Sequence, residues 1–273
     1  MSAKGVTICK QEYRMIRNPV RLTVLTAALL FVGLPAAAQA PDDAIPRMPN
    51  GKPDMGGVWD HPRTGNLENP SDQCGSPTKG CKHEPGPLSF TELGLATYKD
   101  KANHIDWTAV CLPWGYQRAW GTTYPVEFVQ TPVRLAILFE SNNVYKIVPT
   151  DGTPMPESME PSWWGVSRGH WEGDTMVVET KGFNAMTYLD TAEHPHGEKL
   201  EMTERFQMID KDHMTREVTI TDPDYYDKPF KFLDTLARMK PGTELMEYVC
   251  MENNRWLERR LGEDISSFLR ANH

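Results

Sequence analysis

From residue 125 onward, short apolar runs rich in Val, Ile, Tyr, Thr and Phe alternate with breaks of Gly, Asp, Asn or Pro at intervals of about ten residues. That rhythm predicts an all-β antiparallel sandwich or barrel. Residues 126–133 and 134–140 read as strand material, Asn142-Asn143 as a turn and residues 144–148 as the returning strand. Residues 164–171 and 175–181 form an expected hairpin closed by Glu172-Gly173-Asp174, where Gly supplies the positive φ of a tight turn. Residues 200–209, 213–221, 230–238 and 245–250 complete an expected meander of about eight strands. Before residue 125 the chain reads mostly as loop, with residues 57–59 as the one early strand, so residues 41–124 are expected to supply a lid or pocket rim. Two helices are expected. Residues 91–102 follow a Thr91 cap, and residues 256–270 carry Leu257, Leu261, Ile265 and Leu269 four residues apart.

The first forty residues have a different character. Residues 22–34 are almost wholly apolar, preceded by Arg14, Arg17 and Arg21 and followed by Pro35-Ala-Ala-Ala-Gln-Ala40. This layout predicts a secretory signal peptide over residues 1–40, with Met15 as a possible true start. Its apolar core of roughly thirteen residues falls short of the ~20 that a spanning helix needs, so no membrane attachment is expected after cleavage. Residues 41–273 are expected to form one domain, periplasmic or secreted. Removing the leader leaves 24 basic against 36 acidic side chains, a net charge of −12. Such a surface repels phosphate backbones and argues against nucleic acid as a partner; the oligomeric state is not legible.

Four cysteines remain after residue 40, an even number in an oxidising compartment. The spacing favours Cys74 with Cys81 and Cys111 with Cys250, although four cysteines allow three pairings. Zinc ligation is the competing reading, weakened by the lack of a CxxC spacing.

The stretch 190–206 holds the densest candidate chemistry. On a strand, Leu200, Met202, Glu204, Phe206 and Met208 share one face, which puts the Glu204 carboxylate on an apolar surface. Burial there would make it a general acid or base, or the partner of an internal cation such as Arg134. Asp190, His194 and His196 precede it, and in an extended His-Pro-His both rings leave on the same side. That suits a proton relay or a metal, with His194, His196 and Glu204 as the alternative ligand set for a divalent ion. With Glu201 the spacing is H-x-H-x4-E, similar to a first cupin motif, but Tyr188 stands where that motif has Gly. The competing reading is a rigid polar turn.

Trp114, Tyr116 and Trp120 gather aromatic area behind Cys111, as a lid over an apolar ligand or a plug closing the barrel end. Arg134 and Glu140 bracket one strand and could orient a carbonyl or carboxylate. His170 reads as structural and His61 as a weaker pocket candidate. There is no Walker loop, GxGxxG or HExxH, so nucleotide and zincin chemistries lack support.

Several phrases together, Gly57-Val-Trp59, Cys111-Leu-Pro-Trp-Gly115, Ile137-Leu-Phe-Glu140, Thr150-Asp-Gly152, Gly169-His-Trp-Glu-Gly-Asp174, His194-Pro-His196, Thr203-Glu-Arg-Phe206 and Tyr248-Val-Cys250, resemble a secreted bacterial family of unassigned function. The meander also resembles a calycin or lipocalin-type barrel, which implies a central ligand cavity. The expected function is cofactor-independent acid–base chemistry, as in a lyase, hydratase or isomerase, on a small apolar or aromatic molecule. Catalysis is expected from Asp190, His194, His196 and Glu204, and substrate binding from Trp114, Tyr116, Trp120, Arg134 and Glu140. The alternatives are a carrier of a hydrophobic ligand, a metal-assisted hydrolase or oxygenase, and a structural envelope protein.

Overall fold

The computed structural model describes residues 44–251; the expected leader and the expected helix over residues 256–270 lie outside them. Ten strands form: β1 (Gly57–Asp60), β2 (Lys82–Glu84), β3 (Val126–Thr131), β4 (Arg134–Phe139), β5 (Val144–Pro149), β6 (Val166–Glu172), β7 (Thr175–Lys181), β8 (Glu201–Met208), β9 (His213–Thr221) and β10 (Phe230–Arg238). Nine of them run in the order β5-β4-β3-β1-β10-β9-β8-β7-β6, every neighbouring pair antiparallel, as a nearly closed barrel. The meander is interrupted once. β1 is inserted between β3 and β10, and it shares an edge of β10 with β2, which pairs at Leu233, Asp234 and Thr235.

The seam lies between β5 and β6, which face each other without ladder hydrogen bonds. Gly169 on β6 permits their approach, since a Cβ there would lie 2.8 Å from Val148 Cγ1 and 3.0 Å from Thr150 Cγ2. The turn between β6 and β7 has Gly173 at φ +60, and Asn142 and Asn143 both take positive φ between β4 and β5. Both turns follow the residues expected to make them.

Alternation decides what fills the barrel. Met202, Glu204, Phe206 and Met208 point inward from β8, and Met214, Arg216, Val218 and Ile220 from β9. Trp120 is buried inside, within ring-contact distance of Tyr116, Phe128, Phe139 and Phe206. Burying one such ring contributes roughly 4–6 kcal/mol at ~25 cal/mol per Å².

Three expectations change. Residues 245–250 are not a strand; this segment is held by Glu140 Oε2 accepting from the Met246 N–H at 2.8 Å and by Asn143 exchanging hydrogen bonds with Tyr248. β2 was not expected, because Lys-His-Glu carries no apolar run; its pairing to β10 comes from tertiary context. The helix α1 spans Glu92–Lys99, capped by Thr91 accepting from the Gly94 N–H, and ends before residue 102.

Both disulfides form as the spacing suggested, Cys74–Cys81 and Cys111–Cys250. Asp60, buried at the end of β1, organises the smaller loop by accepting from the N–H groups of His61, Gly75 and Ser76 and from the Ser76 hydroxyl. Asp60, Cys74 and Cys81 approach one another as metal ligands would, but the bonded sulfurs have no thiolate to offer.

Candidate active site

Glu204 does not meet the histidines. It lies inside the barrel, where Oε1 accepts from Arg216 Nε at 2.7 Å and Oε2 from the Tyr116 hydroxyl at 2.8 Å. Arg216 then donates to Asp234 Oδ2 at 2.9 Å and to Gln117 Oε1 at 2.7 Å, while its guanidinium stacks over Trp120 at 4.3 Å. Asp234 Oδ1 meets His83 Nδ1 at 2.6 Å, and His83 Nε2 meets the Leu67 carbonyl at 3.1 Å. Burial works against the His83 cation, but the Asp234 hydrogen bond and charge outweigh it and raise its pKa.

Lys146 enters the same interior from β5. Its Nζ lies 3.9 Å from the Tyr116 ring centre and donates to the Trp164 carbonyl just before β6, so it spans the seam. Burial, opposed by Glu204 and reinforced by Arg216, brings its pKa down to about 7. The Tyr116 hydroxyl is pushed up, first by burial and then by the Glu204 charge.

Asp190 and His194 build a second cluster on the loop before β8. Tyr188 and Pro195 pair as a bridge, the Leu189 N–H donates to the His194 carbonyl at 2.9 Å, and Glu193 turns the chain at φ +65. Asp190 is thereby set against the His194 ring, with Oδ2 2.6 Å from Nδ1, and Oδ1 accepts the His194 N–H at 3.1 Å. Asp190 Oδ2 also takes the Leu67 N–H at 2.8 Å, which brings Glu68 Oε2 to 3.2 Å from His194 Nε2. The ring stacks on Tyr98 at 4.6 Å and is fully buried, while the Glu68 side chain is 43% exposed. With a carboxylate at each nitrogen, only the doubly protonated ring donates to both. The Nε2 side of the ring faces solvent through Glu68.

His196 is separate. Its Nε2 meets the Thr187 hydroxyl at 2.7 Å, its Nδ1 the Gly197 carbonyl at 3.2 Å, and burial lowers its pKa. The two rings of His-Pro-His thus go to different surroundings, because the turn closing on Pro195 breaks the extended geometry on which a shared side depends. Among the described residues, His194, His196 and Glu204 do not gather as a ligand set. Glu201 pairs with Lys181 on the outer face at 2.7 Å, which removes the cupin-like spacing.

The other expected residues are dispersed. Arg134 is exposed and is not the partner of Glu204; that partner is Arg216, on the inward face of the next strand, β9. Glu140 is buried and holds Met246. Tyr116 and Trp120 belong to a plug: the short helix α2 (Tyr116–Ala119) enters the barrel end with Tyr116, Gln117, Arg118 and Ala119 all buried. His170 is exposed and meets Glu172 at 3.3 Å. His61 is buried with Nε2 2.8 Å from the Tyr124 carbonyl, and burial lowers its pKa.

Trp114 alone of the aromatic loop reaches an open surface. It lines a cleft of about 330 Å³ with Arg63, Gly65, residues 121–124 and Thr191. Two of its wall residues are joined by Thr191 Oγ1 donating to the Gly65 carbonyl at 2.7 Å, and Thr191 follows directly on Asp190 in the chain. Gly121 is required here, since a Cβ would collide with the Thr64 carbonyl.

Glu68, Lys146, Arg216, Asp234, His83 and Arg63 were not singled out by the sequence. For Lys146, Arg216 and Asp234 the signal exists, because each occupies an apolar face on its strand, as Glu204 does. Loop residues Glu68 and Arg63 carry no such signal.

No family model matches the sequence, and no curated protein or solved structure matches it either. What the barrel and its loop cluster define is a class, an antiparallel β-barrel with a buried carboxylate–imidazole pair open to solvent through a second acid.

Proposed function

We propose that the protein is an extracytoplasmic acid–base enzyme acting, without an organic cofactor, on a small aromatic or largely apolar molecule, as a lyase, hydratase or isomerase does. The observation that carries this reading is the Asp190–His194–Glu68 trio. Glu68 is the group that meets the substrate. The Nε2 proton of His194 is delivered through Glu68 to the reacting atom, and the proton released in the complementary step returns by the same route. Asp190 is the positioning residue, because it holds the other ring proton on Nδ1 and also holds Leu67, which places Glu68. The ring stack on Tyr98 keeps water off His194.

The extracytoplasmic placement is supported by the two disulfides, which form in oxidising compartments. No helix among the described residues is long and apolar enough to cross a membrane. A periplasmic location agrees with both.

The test is proton exchange. Purified protein is incubated in D₂O with a panel of small aromatic acids, ketones and their hydroxylated counterparts, and deuterium incorporation or turnover is followed by NMR. Glu68→Gln and His194→Asn should each lower the rate at least 10²-fold with an unchanged circular dichroism spectrum. A panel without exchange, or undiminished exchange in Glu68→Gln, would overturn the reading. A carrier is the second reading, favoured by the absence of any acidic side chain from the cleft lining; saturable binding without exchange would select it.

A further inference from the structure

The chain is acidic, yet Arg63 lines two adjoining clefts, of about 330 and 320 Å³, and no Asp or Glu lines either. Among the described residues its side chain has no hydrogen-bond or ion-pair partner, whereas Arg47, Arg118, Arg205 and Arg216 each hold a carboxylate. An exposed guanidinium with five free donors is a fork for a planar anion. The two clefts differ in their other walls. One offers Trp114 and Tyr124 with the Thr123 and Thr191 side chains, and the other has no aromatic residue, its walls being mostly polar loop residues such as Asn66, Asn69 and Gln73.

We propose that the Trp114 cleft binds an aromatic monocarboxylate, its carboxylate on Arg63 and its ring against Trp114. Charge argues for one negative group, since Arg63 is the one Lys or Arg among the described residues that line this cleft, and a phosphate dianion would leave charge uncompensated. Volume argues for one ring, because ~300 Å³ is the lower end of small-molecule pockets. Trp114 is held for this role. Its ring carries Arg118 at 5.3 Å, and its carbonyl accepts from Trp164 Nε1 at 2.8 Å, so little side-chain freedom is left to lose on binding. As a statement about substrate, this rests on the acid–base reading of the Glu68 trio; as a statement about a ligand site, it stands on the cleft.

The experiment is titration of the purified protein with 4-fluorobenzoate, followed by ¹⁹F NMR and calorimetry, with cyclohexanecarboxylate and inorganic phosphate as competitors. Saturable binding of 4-fluorobenzoate is expected, weakened at least tenfold by Arg63→Met and similarly by Trp114→Ala, with phosphate a poor competitor. The assignment is overturned if Arg63→Met binds unchanged, if phosphate competes as well as the benzoate, or if the benzoate does not bind. Binding through Arg63 with no Glu68-dependent exchange would sink the enzyme reading alone. Exchange that needs Glu68 but ignores Arg63→Met would sink this inference alone.

Discussion

Two histidine–aspartate pairs in this protein share a 2.6 Å contact and differ in what the second ring nitrogen meets. In the barrel, His83 is fixed by Asp234 and ends on the neutral carbonyl of Leu67; on the loop, His194 is fixed by Asp190 and ends on the carboxylate of Glu68. The two pairs arrive at adjacent residues of one chain. The first ends on a carbonyl, which cannot carry a proton away, and its carboxylate is buried against Arg216. The second ends on a carboxylate that is 43% exposed to solvent. A buried His–Asp pair is therefore not by itself a sign of catalysis; the atom facing the remaining nitrogen decides the role.

The largest effect expected is on the closed side. Arg216→Met should lower stability by about 3–5 kcal/mol, because it leaves Glu204 and Asp234 buried without their shared cation. Urea denaturation followed by tryptophan fluorescence measures it. A loss below about 1 kcal/mol would mean that water or rearrangement relieves the interior charges, and the contrast between a sealed and an open site would disappear.

Lys146 probes the same interior with the opposite sign. Its folded pKa of about 7 lies below the ordinary value of 10.5, chiefly because burial disfavours the cation. Between those values the unfolded chain binds the proton and the folded one does not, so stability from this group rises with pH across that window. Below pH 7 the full cost remains. Lys146→Met should accordingly stabilise the protein by on the order of 3 kcal/mol at pH 7, fading as pH approaches 10. Denaturation midpoints of both proteins at pH 7, 8.5 and 10 check this. A gain that does not shrink with pH would assign the effect to packing.

The closed region was largely legible in the sequence and the open one was not, for a physical reason. Strand alternation has a fixed period, so Glu204 could be placed inside from its neighbours, and the same rule applied to Lys146, Arg216 and Asp234 yields the rest of the interior network. Turns were legible where Asn142-Asn143 and Gly173 demand positive φ. Loops have no period. The pairing of Asp190 with His194 is four residues apart and was visible as a cluster, but Glu68 reaches it from 126 residues away, through the Leu67 N–H on Asp190. The separation of His194 from His196 was hidden for a related reason, since the turn at Glu193 and the Tyr188–Pro195 bridge override the extended geometry that His-Pro-His suggests.

The smallest expected change in stability carries the most information about the comparison. Glu68→Gln replaces an acid that is 43% exposed by a near-isosteric amide whose oxygen still accepts from His194 Nε2–H. An ion pair so open to water contributes little, so stability should move by no more than about 0.5 kcal/mol. The amide cannot take or release the proton. The same substitution therefore separates two roles that a larger lesion would merge. If Glu68 only buttresses the loop, the amide serves as well and every property survives; if Glu68 is the outlet, folding survives and proton exchange does not. Amide hydrogen exchange at residues 67 and 194 supplies the control, because both N–H groups donate to Asp190 and their protection reports whether it still holds both walls of the loop. A loss of stability above about 2 kcal/mol in Glu68→Gln would place this acid with the sealed network and erase the distinction between the two histidines.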